Sequence, residues 1–193
     1  MRISKAQAAA NHDRVVEVAS ELFRERGFDG VGVSELMKAA GFTHGGFYNH
    51  FDSKEALTVE AVAHAFRASA KAGAGERDLR TVLTDYLSPA HRRALGRGCP
   101  AAALGCDAGR QPDSIKAAFA DGAEGMIAGL ARMRSPETDG AAAARARDIN
   151  LLAKMVGALI LARAAPADSP LGDEILAAAL EGCLREAGLQ PET

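Results

Sequence analysis

Apolar residues return with a helical period along nearly the whole chain, and nowhere with the two-residue alternation of a strand. Val15, Val18, Ala19, Leu22 and Phe23 fall at i, i+3, i+4, i+7 and i+8. This predicts a helix over 11–26, with Asn11 as cap and Gly27 as stop. Val33, Leu36, Met37 and Ala40 repeat the spacing over a shorter length, and Gly41 closes it. Thr43 is placed to cap a third, short helix. A fourth begins at Asp52-Ser53-Lys54-Glu55, where Asp52 and Glu55 hold capping-box spacing. Further helical periods cover 77–95, broken at Ser88-Pro89, then 112–133, 140–164 and 170–187. Gly- and Pro-containing joints lie at 96–100, 109–112, 135–136 and 166–170. The expected fold is all-α: a three-helix N-terminal unit over residues 1–54, followed by a larger helical unit over 55–193.

The helix over 140–164 has apolar residues to spare. Ile149, Leu152, Val156, Leu159 and Ile160 form one stripe; Leu151, Met155, Ala158 and Ala162 form another. One core absorbs one stripe, so the second is expected to pack on another copy of the chain, together with Ile175 and Ala179 of the last helix. The dimer surface is therefore expected at Leu151, Met155, Ala158, Ile175 and Ala179. A central helix buried all round within a monomer is the alternative.

Rings support a boundary near residue 52. Phe23, Phe28, Phe42, Phe47, Tyr48 and Phe51 precede it, whereas Phe66, Tyr86 and Phe119 follow. A small three-helix unit has little interior and needs bulky rings to fill it. At 193 residues, 48% hydrophobic and 25% charged, the chain has globular composition and no apolar run of membrane-spanning length. No secretory leader is visible, so a cytoplasmic location is expected. Cys99, Cys106 and Cys183 are an odd set, which favours reduced thiols over a disulfide framework.

Charge narrows the reading of one stretch, AGFTHGGFYNHFDSKEAL at residues 40–57. The first 54 residues carry seven basic and seven acidic side chains, so attraction to nucleic acid must come from placement rather than net charge. Glu17, Glu21 and Glu25 share one helix face, leaving Arg2, Lys5 and Arg14 to the approach side. Helix, glycine-containing turn, helix is the arrangement that lays a second helix in the major groove of DNA. Gly45 and Gly46 keep that surface low, and Thr43 offers a hydroxyl at a helix start. Tyr48, Asn49, His44 and His50 can reach phosphates or base edges, and Lys54 supplies a cation.

Residues 15–57 resemble the DNA-binding domain of TetR-type transcriptional regulators. The resemblance rests on Ala19-Ser20-Glu21-Leu22-Phe23, Gly27-Phe28, Ala40-Gly41-Phe42-Thr43, Gly45, Tyr48, His50-Phe51 and Lys54-Glu55-Ala56-Leu57. It implies an all-helical homodimer with a divergent effector domain, usually a repressor of a palindromic operator released by a small molecule. It carries the phosphate contacts onto Tyr48, His50 and Lys54, the hydroxyl onto Thr43, and base contacts onto His44, Gly46 and Asn49. One departure is Val31-Gly32, where the family commonly has a pair of hydroxyl residues; a helix cap and a phosphate contact are thereby missing, with Ser34 nearby.

For the effector side, the sequence predicts a hydrophobic site lined by Phe66, Leu83, Tyr86, Leu104, Phe119, Met126, Ile127 and Leu130, suited to a small apolar ligand. The stretch GRGCPAAALGC at 96–106 looks like a "GCP" region found in some TetR-type regulators. It puts Cys99 at a helix start, where a thiol is activated. A redox switch through Cys99 with Cys106 as resolving partner is one reading; a small buried residue is the other. No phosphate loop, nucleophile elbow or metal-protease motif is present. No enzyme activity, cofactor or metal is expected. The competing class is a helical ligand-binding or thiol-redox protein without specific DNA binding.

Overall fold

The computed structural model describes residues 4–72, 77–134 and 140–189. Among them every regular element is helical. The chain runs through α1 (Lys5–Arg26), α2 (Val33–Ala40), a 3-10 segment (His44–Asn49), α3 (Lys54–Ala72), α4 (Leu79–Tyr86) and α5 (Pro89–Arg93). It continues through α6 (Pro100–Ala108), α7 (Asp113–Met133), α8 (Ala141–Ala164) and α9 (Leu171–Glu186). The joint expected at 135–136 and the N-terminal Arg2 lie outside the described residues.

Helix α1 starts earlier than its apolar pattern indicates. Ser4 is its cap, its hydroxyl accepting the Gln7 amide at 3.1 Å, and Asn11 is an interior residue whose side chain accepts from Gln7 Nε2 at 2.8 Å. The extra turns, Lys5 to Ala10, are exposed and alanine-rich, so propensity rather than burial makes them helical. Gly27 (φ 75°) ends α1 and Gly41 (φ 88°) ends α2. At Gly41 the chain closes with its own amide on Lys38 O and the Phe42 amide on Met37 O, a left-handed stop that suits glycine. At α3 the cap is Ser53, not Asp52: its hydroxyl accepts the Ala56 amide at 3.0 Å, and Glu55 turns away to accept from Ser114 on α7.

The N-terminal head closes around Phe23, Phe28, Leu36, Met37, Phe47 and Phe51, each at most 4% exposed. Phe23 and Phe28 meet edge to face, and Phe47 lies against Phe51. Helix α3 leaves this core and enters the second, packing on α1 at one side and α7 at the other. The body is completed by α6, α8 and α9, with α8 and α9 paired along their length.

The α8 expectation needs correction. Leu151, Met155 and Ala158 face the interior of their own protomer, together with Leu152, Leu159 and Ala162. The second stripe is buried together with Leu152 and Leu159 of the first, whereas Val156 and Ile160 are half-buried, because a core-facing helix buries more than a narrow seam. Exposed apolar side chains instead sit at Ile149 and Leu161 on α8 and at Leu171 on α9; Ile175 and Ala179 are half-buried. The same buried face carries Asp148, 2% exposed, which accepts from Arg134 Nη2 at 2.8 Å. Arg134 also donates to Ala144 O, joining the end of α7 to the start of α8.

Removing one partner of a buried ion pair strands the other in a poor solvent. Asp148→Ala is expected to destabilise the fold by about 3–5 kcal/mol, read as a lower urea midpoint with unchanged slope.

Candidate nucleic-acid interface and effector site

The segment after α2 is a 3-10 helix rather than the expected two-turn α-helix. Adjacent glycines weaken α-helix formation there, and Phe47 and Phe51 pin both its middle and its exit into the core. Thr43 stands at its N-cap in extended conformation, but its hydroxyl caps no amide. Tyr48 is 70% exposed while its ring stands edge-on to buried Phe47 at 5.2 Å, so the phenol is held outward from a fixed base. Thr43, His44, Gly45 and Asn49 are exposed beside it. A Cβ at Gly45 would touch nothing within 4 Å, and at Gly46 only Met37 and Thr43 at ordinary van der Waals distance. Neither glycine answers a packing need, although glycine costs helical segments stability.

Three residues of the expected set, Gly46, His50 and Lys54, are half-buried. His50 is half-buried among the rings of His12, Phe42 and Phe51. Lys54, expected as a free phosphate cation, turns inward. Its ammonium donates to Phe28 O at 2.6 Å and lies 5.9 Å from the centre of the Phe23 ring. It fastens the start of α3 to the end of α1. His12, which the sequence reading passed over, joins the same cluster, lying on Phe51 at 4.4 Å and bonding Glu60 at 2.7 Å. At the Val31-Gly32 departure, Val31 is fully buried and Gly32 caps α2 without a side-chain bond, leaving the first amides of α2 open.

On the body, a groove of about 730 Å³ lies between α3 and α7. Of the residues expected at an effector site, Phe66 and Met126 line it, whereas Leu83, Leu104 and Leu130 are closed in the core. Phe119 supports Phe66 edge to face at 5.5 Å, and Ile127 packs half-buried on the core. The walls missed by the sequence reading are small or charged: Ala63, Gly122, Gly125, Arg67, Asp121 and Arg132. The Phe66 ring occupies the space a side chain at Gly122 would take, where a Cβ would lie 2.2 Å from it. The Gly122, Gly125, Gly129 spacing on α7 was the available sequence signal.

Tyr86 belongs to another cluster, with His91 and Cys99. The His91 ring stands edge-on to Tyr86 at 4.7 Å; its Nδ1 donates to Tyr86 O at 2.8 Å and its Nε2 accepts the Cys99 amide at 2.9 Å. Burial holds His91 below its ordinary pKa, opposed by the bond to Tyr86 O, which keeps the imidazole neutral in this role. Because the unfolded chain takes up that proton first, acidification below the ordinary histidine range disfavours this cluster. Burial beside Cys99 pushes the Tyr86 phenol well up. Cys99 is 3% exposed, whereas Cys106 is exposed at the far end of α6. Seven residues of helix separate them by about 10 Å, beyond the span of a disulfide, so Cys106 cannot resolve Cys99 while α6 is intact. Burial pushes the Cys183 thiol up to about 11.

A helical head with an exposed tyrosine at its tip is joined through one long helix, α3, to an α-helical body. Residues 15–61 match the model of the bacterial regulatory proteins of the tetR family. An HTH-type transcriptional regulator of Mycobacterium tuberculosis is 34% identical over 80 residues, covering 42% of this chain and 37% of that one. The repressor NemR of Escherichia coli K12 is 29% identical over 129 residues, 62% of this chain and 65% of its own. The matched stretch thus spans less than two thirds of these relatives. The crystal structure of reduced E. coli NemR superimposes with a TM-score of 0.73 at 24% identity, over 91% of this chain and 96% of that one. A TetR regulator from Chloroflexus aurantiacus gives 0.69 at 26% identity, over 96% and 98%. Residues 15–61 thus carry the DNA-binding domain of the tetR family, and the chain as a whole shares its fold with TetR-type regulators.

Burial orders the thiols. With iodoacetamide at neutral pH, native protein is expected to label at Cys106, with Cys99 and Cys183 reacting only after denaturation; peptide mass mapping distinguishes the three. Rapid native labelling of Cys99 would show that its cover opens.

Proposed function

We propose that this chain is a repressor that binds palindromic operator DNA as a homodimer and is released by a small molecule. The observation that carries the reading is the exposed tip of the head. Tyr48 projects from an anchored ring, flanked by Thr43, His44 and Asn49, over two glycines that nothing in the protomer requires. Backbone approach to a duplex requires such a low surface. Tyr48 and Thr43 serve phosphates, and His44 and Asn49 serve base edges across Gly46. His50 acts from its half-buried position, and Lys54 acts by holding α3 to the head.

The exposed Ile149, Leu161 and Leu171, with half-buried Ile175 and Ala179, form the surface on which a second copy packs. Two heads then reach successive major grooves about 34 Å apart. The α3–α7 groove is the effector site, and its apolar floor with charged rim suits a small hydrophobic molecule bearing a polar group. Ligand acts by favouring the α3 position that misplaces the heads, since only differential affinity moves the equilibrium. A thiol-redox or ligand-binding protein without specific DNA binding is the competing reading. The salt dependence of binding separates them, because neutralising phosphates releases counterions.

Selection from random duplex DNA is expected to enrich an inverted repeat whose affinity falls steeply with salt. Tyr48→Phe should weaken it about tenfold, near 1.4 kcal/mol, at unchanged stability. Gly45→Val should fold normally yet lose specific binding. Failure to enrich any sequence at low salt would overturn the reading.

A further inference from the structure

A second cavity, of about 270 Å³, lies where the head meets the body. Its walls come from α1 (Glu17, Glu21, Arg24), α3 (His64, Ser69) and the approach to α6 (Arg97, Gly98, Cys99). Arg24 is the unusual member. It is 9% exposed, its Nε has no hydrogen-bond partner, and its guanidinium forms no ion pair among the described residues. A buried cation without a partner is costly, and burial does lower the Arg24 pKa against the pull of Glu21.

The carboxylates in the wall are already engaged. Glu21 accepts from Arg97 at 3.0 Å, and Glu17 from Arg14 at 3.2 Å. The charge left over is positive and belongs to Arg24. A second donor set borders the same space. Helix α6, nine residues long, starts just beyond Gly98 and Cys99 with no side-chain cap, so the amides of Ala101 and Ala102 are left to an acceptor at the positive end of the helix dipole. His91 takes the Cys99 amide, Pro100 has no N–H and Ala103 donates to Cys99 O, which leaves the amides of Ala101 and Ala102.

We infer that this cavity is a binding site for a small oxyanion, a phosphate or a short carboxylate, held between Arg24 of the head and the N-terminus of α6. Arg97 stands at its mouth, 83% exposed in its side chain, and exchanges Glu21 for the incoming anion. The site is separate from the α3–α7 groove and does not depend on the DNA-binding reading. An anion seated there ties α1 directly to α6, a link between head and body additional to α3.

The test uses the full chain in thermal unfolding and isothermal titration with inorganic phosphate, sulfate and succinate, each against chloride at matched ionic strength. The expected result is a saturable rise of several degrees with at least one oxyanion and none with chloride. In Arg24→Met the unliganded protein is expected to melt no lower than wild type, because a stranded charge is removed, while affinity falls about tenfold or more. Phosphate or sulfate acting alone identifies a tetrahedral anion, and succinate acting alone a carboxylate. Should Arg24→Met not fold, Arg97→Gln must weaken the response. Equal stabilisation by all salts, or a response that Arg24→Met retains, overturns the site.

Discussion

Helix α3 satisfies two cores at once, and the rest of the molecule is arranged around that constraint. Its first turns complete the head, where Leu57, Ala61 and Val62 are essentially buried. Its later turns give Phe66 to the body. Lys54 closes the arrangement at one end, fixed to Phe28 O, and Ser114 closes it on the α7 side through Glu55. A helix packed on both flanks cannot rotate without disturbing one interior. On the proposed reading, a displacement imposed at the groove reaches the head through this helix.

Much of this was legible in the residues. Helical periods located α2, α7, α8 and α9 to within a residue or two, because burial repeats with the helix. They failed where burial was absent: Lys5 to Ala10 are helical and exposed, so no apolar rhythm marked them. The exposed tip of the head was legible because Tyr48 and the glycines have no packing reason to lie between two apolar patterns. Lys54 was misread because a charged side chain at a helix start suggests solvent, whereas its long apolar stem let it bury over Phe23 and deliver the ammonium to a carbonyl. On α8, a one-dimensional pattern could not say which of two neighbouring stripes closes the protomer. Asp148 would have been a clue, since a carboxylate inside a helix of alanines and leucines needs a partner from another element.

The head has no net charge to spend on long-range attraction. Several of its charges are also paired internally, Arg14 with Glu17 and Arg26 with Glu35. Recognition in such a head depends on short-range fit: outward hydroxyls, open amides at the start of α2, and a surface without side chains at 45 and 46. Neutrality of this kind lowers the background of non-specific binding as much as it slows encounter.

The Phe66 ring lies where a side chain at residue 122 would be. The floor of the groove and the position of α3 are consequently set by the same contact. In a lineage that acquires a new ligand by enlarging residue 122, the ring must move and α3 with it, so what the groove accepts and how strongly it speaks to the head change in one step. If the groove is the effector site proposed above, selectivity and responsiveness are inherited together, and variants enlarged at residue 122 change both at once.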